Sequence, residues 1–276
     1  MKRTTYIMIG MLMAGLVLVC GIVFYLSRYT VAWEDTFWEI GGSRKTVQLP
    51  PCRVVKLTEP TPVWRQKREG IVECERSFSF REVPLTVTSG DSLQGTLSYA
   101  GDMESLMSIT SVGDTLSIAF NFPEDKLEER FREENWIKLR SAGMALELPA
   151  GVQSVLVDVE SMETMFKGVC RDTFFFRVCD LARVEDCHIL SLAAQARTLR
   201  LHSGEVHDLH LNLDKISDWR VDVDSFRIGT EHLSGSGTHR NVLQKGECRQ
   251  VIWTPLDEDA ALNVRMRQAG KIELGE

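Results

Sequence analysis

Eighteen residues, Arg197 to Asp214 ("RTLRLHSGEVHDLHLNLD"), place His202, His207 and His210 among carboxylates. Imidazole and carboxylate together are the ligands of zinc and related ions, but such a site needs three or four donors converging on one point. Spacing argues against convergence. In "RTLRLH" the alternation turns Leu199 and Leu201 to one face and His202 to the other. In "DLHLNLD" Leu209, Leu211 and Leu213 share a face and His210 lies opposite. His207 falls at the turn between the two strands. His188 and His207 are about one structural repeat apart and could stack at a corner beside Cys187. They are the best metal candidates, and two ligands are too few. No metal or other cofactor is therefore expected.

A second cluster, Asp214, Asp218, Asp222 and Asp224, suggests calcium. Calcium takes six to eight oxygens, usually from a tight loop. Two carboxylates sharing a strand face, Asp222 and Asp224, supply too few, so a solvated face is expected. The chain has no nucleophile elbow, HExxH, phosphate loop or dinucleotide fingerprint. None of the seven cysteines forms a CxxC pair, so buried free thiols rank above zinc or a disulfide framework. A non-enzymatic module is the expectation. The alternative is a polysaccharide-acting enzyme, which would need two carboxylates roughly 5–9.5 Å apart in a groove. A sensor is a third reading, but the tail before Tyr6 is too short for a signalling domain.

The elements that hold these residues begin with the N-terminus. Residues 6–26 carry no charge, enough at 1.5 Å per helical residue to cross a hydrocarbon core of roughly 30 Å. A cleaved signal peptide would have a shorter apolar run and a small-x-small site. A lipoprotein signal at Cys20 is opposed by bulky Val19 and by the apolar run that continues past it. The reading is an anchor over residues 1–30, single-pass, in contact with the lipid bilayer through residues 6–26. Lys2 and Arg3 against Arg28 give a thin margin for the N-terminus inside. Tyr25, Tyr29, Trp33 and Trp38 crowd the exit and are expected at the headgroup level. Residues 31–50, which include "GGSRKTVQLP", read as a juxtamembrane segment and linker.

Two β regions follow, over residues 51–148 and 149–276. The first alternates apolar and polar residues around turns at Ser89-Gly90-Asp91 and Gly113-Asp114. "PEDKLEERFREENW", residues 123–136, reads as a short amphipathic helical insert, with Leu127, Phe131 and Trp136 packing onto the sheet. In the second region strand centres recur about every ten residues. Leu199 matches Trp219 and Leu201 matches Val221, both twenty apart. That period predicts a β-solenoid, a right-handed β-helix whose coils stack their apolar residues in a column. An antiparallel sandwich is the rival, and the scarcity of Asn-Gly and Asp-Gly hairpin turns counts against it. With a net charge of −7 and no basic stripe, nucleic acid is not an expected partner.

"VPLTVTSGD", "MESLMSITSVGDTLSIAF" and "HLSGSGTHRN" together, in that order, resemble the head GIN domain family of autotransporter-adhesin-like proteins of Gram-negative bacteria. The resemblance covers most of the chain after the anchor. It departs in the acidic insert and in having a single full Ser-Gly-Ser-Gly. It implies an all-β, solenoid-like fold with no catalytic residues to carry over. It also implies a cell-envelope location: inner membrane, with the bulk of the chain in the periplasm, bound to an unidentified protein or glycan. The register follows directly: Leu201 should lie beside Val221 on an adjacent strand, not beside Leu209 or Leu211.

Overall fold

The computed structural model describes residues 2–28, 36–59, 63–65, 74–266 and 271–274. It divides into two compact units, Met1–Phe37 and Trp38–Glu276. The first is built on one α-helix, Lys2–Ser27, within which Thr5–Ser27 is long and apolar enough to cross a membrane. Tyr25 is exposed at its end. Tyr29 and Trp33 lie outside the described residues.

The second unit is almost entirely β. Its largest sheet has 16 strands, and most neighbours pair in parallel. Two walls can be followed through it. On the first wall, Val54–Thr58 lies between Thr115–Phe120 and Ser154–Asp158. The ladder then continues through Cys170–Glu185, Cys187–Leu201, Gly204–Asn212, Phe226–Gly235, Cys248–Pro255 and Lys271–Leu274. On the second wall, Leu85–Ser89 lies between Met144–Leu148 and Thr164–Lys167. The ladder goes on through the later halves of the two long strands, 181–185 and 198–201, to Asp218–Val221.

The registers explain the sequence spacing. Cys187 pairs with Gly204, Leu199 with Trp219 and Thr238 with Ala261, so these strands pair with strands 17, 20 and 23 residues later in the chain. Leu201 lies beside Val221, the expected pair, and the strand Gly204–Asn212 runs parallel to Cys187–Leu201 rather than folding back on it. Because the side-chain period of a strand is two, in-register parallel pairing puts like beside like. Val155, Phe176, Ala194, Leu211, Leu233 and Trp253 form one buried row, each 5% exposed or less. Phe166 stacks on Phe176 with ring centroids 4.3 Å apart, filling the space between the walls.

The strands of the first wall bend at a repeated point. Ile189, Val206 and Ile228 face in, and so do Leu192, Leu209 and Glu231. Two residues, rather than one, separate inward positions on each strand. Ser191, Asp208 and Thr230 stay in register through the bend, while Leu190, His207 and Gly229 bulge. Gly229 is required there, because a Cβ would come within 2.6 Å of the His207 carbonyl oxygen. Gly204 turns the chain between walls at φ +127°, a backbone state that favours glycine, and a Cβ there would meet the Cys187 carbonyl oxygen at 2.2 Å.

Three sequence expectations are corrected. Residues 123–136 contain no α-helix; they hold two 3-10 turns, Glu124–Lys126 and Glu129–Phe131. Leu127 and Phe131 are buried, but Trp136 begins the strand Trp136–Ser141 and is exposed. The backbone leaves helical geometry at Leu127 (ψ 134°) and Glu128 (ψ 145°), between the two turns, and the buried Arg76 guanidinium holds the stretch that follows. It donates to the carbonyls of Arg132 (2.8 Å) and Glu134 (3.3 Å) and to the Glu124 carboxylate (3.4 Å). It thereby ties the end of this stretch to the strand Cys74–Glu82. Second, the expected linker contains two strands, Phe37–Ile40 and Arg44–Leu49, the latter antiparallel to Gly95–Ala100. Third, Trp38 is 6% exposed and meets Phe122 edge-on at 5.5 Å, so it is a core residue of the β unit rather than part of a membrane-interface belt.

Leu201→Asp, which buries an unpaired charge between the walls, is expected to cost about 3–5 kcal/mol. Asp222→Asn, on the outside, keeps an acceptor for the Asp224 amide and is expected to be nearly silent. Urea titration of the two variants measures the difference.

Candidate functional site

The histidines are distributed as their parity requires. His210 lies outside and stacks on His232 of the neighbouring strand, with ring centroids 4.3 Å apart. His207 sits at the bulge within Gly204–Asn212, and its Nδ1 is 2.8 Å from Asp208 Oδ2. His232 Nε2 is 3.3 Å from the other Asp208 oxygen. The His207 hydrogen bond is the main cause holding the Asp208 carboxyl below the ordinary carboxylate range. Burial, then His232, lowers His210. His188 pairs in register with Glu205, so the expected His188–His207 stack is offset by two residues. Both histidines line one shallow depression of about 630 Å³ on the outer wall, with Cys170, Asp172, Leu190 and Glu205. Among the described residues no group of three or more His, Cys, Asp or Glu side chains is arranged to hold a metal.

The carboxylates of the second cluster are engaged within the fold. Asp214 accepts from the Ser236 amide and hydroxyl, each at 2.9 Å through Oδ2, and lies 2.9 Å from His239 Nε2. Those contacts fix the Ser-Gly-Ser-Gly turn against the 3-10 turn Leu213–Lys215. Asp218 accepts from Arg200 at 2.6 Å, and Asp222 caps its own turn through the Asp224 amide. The thiols of Cys52, Cys170, Cys179, Cys187 and Cys248 are free. Burial pushes the Cys187 thiol up to about 11, so it stays protonated and donates to the Phe166 carbonyl.

The unexpected chemistry lies inside the fold. Glu231 is fully buried at a position flanked in register by Leu209 and Val251. Neither of its carboxyl oxygens has a hydrogen-bond partner of normal geometry. The Cys248 thiol and the buried Glu247 are its charged or polar neighbours. Desolvation first, then Glu247, pushes Glu231 up to about 8. Burial also raises Glu247, whose Oε2 accepts from the Gln244 amide at 2.6 Å.

Glu247 reaches a cleft of about 460 Å³ on the second wall. The cleft opens where that wall's ladder is interrupted. Asp218–Val221 pairs with the long strand before it, and Thr238–Leu243 pairs with Ala261–Met266 after it. No backbone hydrogen bond joins Asp218–Val221 to Thr238–Leu243 among the described residues. Gln244 Nε2 bridges to the Val221 carbonyl, at 3.3 Å. Arg220, Arg240 and Asn241 line the cleft with Glu247. Asn241 is 7% exposed, and its Nδ2 has no partner.

No family model matches the chain, and no curated protein matches it. Solved structures do. One, named as a candidate adhesin of Bacteroides fragilis, is 10% identical with a TM-score of 0.40, covering 86% of this chain and 100% of that one. Another, named as a candidate lipid-binding protein of Parabacteroides distasonis, is 8% identical with a TM-score of 0.40, covering 87% and 99%. A candidate cell adhesion protein of Clostridium sporogenes is 9% identical with a TM-score of 0.26, covering 84% and 98%. Likeness this slight carries no argument about what the chain binds.

Glu231 gives a pH dependence with a definite sign. Its folded pKa of about 8 lies above the ordinary 4.5, so the folded state holds a proton that the unfolded chain releases between those values. This contribution is complete below about 4.5, declines as pH rises and is gone above about 8. Glu231→Leu restores the apolar row and is expected to raise Tm more at pH 8 than at pH 5. An offset equal at both pH values would contradict the buried carboxyl.

Proposed function

We propose that the chain is a membrane-anchored, extracytoplasmic β-solenoid with a non-enzymatic binding, adhesive or structural role at the cell envelope. The carrying observation is the ladder of parallel, in-register strands, each paired with a strand from the next turn of the chain, as Cys187 is with Gly204, Leu199 with Trp219 and Thr238 with Ala261. Such coils close on their neighbours and present a wall of outward side chains in rows. One row runs Cys170, His188, Glu205, Arg227 across four adjacent strands. The depression beside it pairs exposed apolar surface at Leu190 with hydrogen-bonding groups at His188, Glu205 and His207, a combination suited to a protein or glycan surface. The apolar helix Thr5–Ser27 supports anchorage in a membrane, and the placement in the inner membrane, N-terminus inside and β unit in the periplasm, rests on Lys2 and Arg3 before the span.

Protease added to cells with a permeabilised outer membrane and an intact inner membrane should digest the β unit; full protection would overturn its placement outside. The wall is tested with the full chain in detergent micelles on an array of envelope glycans. Retention reduced by Glu205→Ala with Arg227→Ala supports the reading. Retention unchanged by those substitutions removes the wall as the glycan-binding surface.

A further inference from the structure

We propose that the interrupted second wall is an acceptor slot for an extended acidic peptide segment of a partner protein, inserted between Asp218–Val221 and Thr238–Leu243. The first wall is continuously hydrogen-bonded at this level, from Gly204–Asn212 through Phe226–Gly235 to Cys248–Pro255. The second wall opens there, so the coils part on one side and are held on the other. Each edge facing the cleft belongs to a strand already paired on its far side. Their inner edges are templates of the kind that accept an added strand. The short strand Asp218–Val221 gives the slot a length of about 13 Å, room for a peptide of roughly four to six residues.

The side chains specify the occupant's chemistry. A strand in the slot alternates between the outer surface and the interior. Outside it meets Arg220 and Arg240. Arg240 has no acidic partner among the described residues, and Arg220 has only a 3.8 Å approach to Asp218, which Arg200 already engages at 2.6 Å. Two incompletely neutralised guanidiniums beside a backbone edge favour carboxylates on the outward positions. Inside, the peptide meets the unpartnered Asn241 Nδ2 and the buried Glu247. A hydroxyl fits both, accepting from the amide and donating to the carboxyl. Threonine on inward positions and glutamate on outward positions are therefore the best match, and threonine also suits an extended backbone. A buried amide donor left without an acceptor is unfavourable, so its presence in the cleft favours an occupant that satisfies it.

This inference concerns the opposite wall from the row at Glu205 and does not depend on what that row binds. The probe is a fluorescein-labelled, acetylated hexapeptide of alternating Thr and Glu, titrated by anisotropy against the full chain in detergent micelles. A second peptide of identical sequence and charge carries N-methyl groups on alternate backbone nitrogens, removing the donors of one edge. Saturable binding, weakened roughly tenfold by N-methylation and roughly tenfold by Arg240→Glu, supports the slot. Arg240 lies on the surface, so its replacement does not threaten the fold. The same affinity should persist in the Glu205→Ala, Arg227→Ala variant. Absence of saturable binding overturns the proposal. So does equal affinity for the N-methylated peptide, which would mark simple charge attraction, or affinity indifferent to Arg240→Glu.

Discussion

The parallel, in-register backbone ladder is the constraint on which the rest of this structure depends. Once Cys187–Leu201 is hydrogen-bonded in parallel to Gly204–Asn212, and that to Phe226–Gly235, every inward residue stacks on an inward residue of the next strand. The core is therefore a set of rows, not a set of pairs. Each row must be apolar along its length, or whatever breaks it must be tolerated by its immediate neighbours. Leu192 and Leu209 meet that condition, and Glu231 does not. A carboxyl between Leu209 and Val251 is tolerated only because it keeps its proton.

Three of the buried polar residues cluster, while Arg76, Ser79 and Thr164 are buried elsewhere. The cluster is Glu231, Asn241 and Glu247, and the same stretch holds the gap in the second wall. Arg76 apart, the charged side chains elsewhere among the described residues follow the opposite rule. Arg177 and Asp158, Arg197 and Asp180, and Arg200 and Asp218 pair between adjacent strands on the outside. Exposed pairs of this kind contribute little to stability, typically less than about 1 kcal/mol each. Their role is register: a slip of one residue would turn them inward. The fold thus holds its register in the outer charge rows, and its buried acids lie where the ladder of the second wall is interrupted.

Much of the architecture was legible in the sequence, and the failures have physical causes. The matches Leu199–Trp219 and Leu201–Val221 survive because inward residues stack directly. The spacing is not constant elsewhere. Cys187 and Gly204 are closer together in the chain than those pairs, and His210 and His232 farther apart, because turns of different length absorb the difference without disturbing the rows. Residues 123–136 imitate a helix, since Leu127 and Phe131 are four apart, but the backbone leaves helical geometry at Leu127 and Glu128, and a distant residue, Arg76, binds the Arg132 and Glu134 carbonyls. Trp38 reads as an interfacial aromatic only because the strand that buries it begins so close to the apolar span. Glu231 was missed for a local reason. Alternation carried forward from Phe226 and Ile228 puts it outside, and the bulge at Gly229 shifts the parity by one. Of the three stacked bulges, at Leu190, His207 and Gly229, only the last leaves a compositional mark, a glycine inside a strand. The cleft was invisible because it arises from a ladder that stops, which no single strand encodes.

Register is the central claim, and a cross-link tests it most directly. Arg200 and Arg220 are neighbours on parallel strands of the second wall. In a background with the exposed Cys170 and Cys179 replaced by serine, Arg200→Cys with Arg220→Cys should form a disulfide rapidly under mild oxidation. Neighbouring strands bring the Cα atoms within the roughly 4.4–6.8 Å that a disulfide requires. Arg200→Cys with His210→Cys, the pair that an antiparallel hairpin would bring together, should remain reduced. Oxidation of the second pair in place of the first would show that the strands fold back on one another, and the row-built core would be wrong.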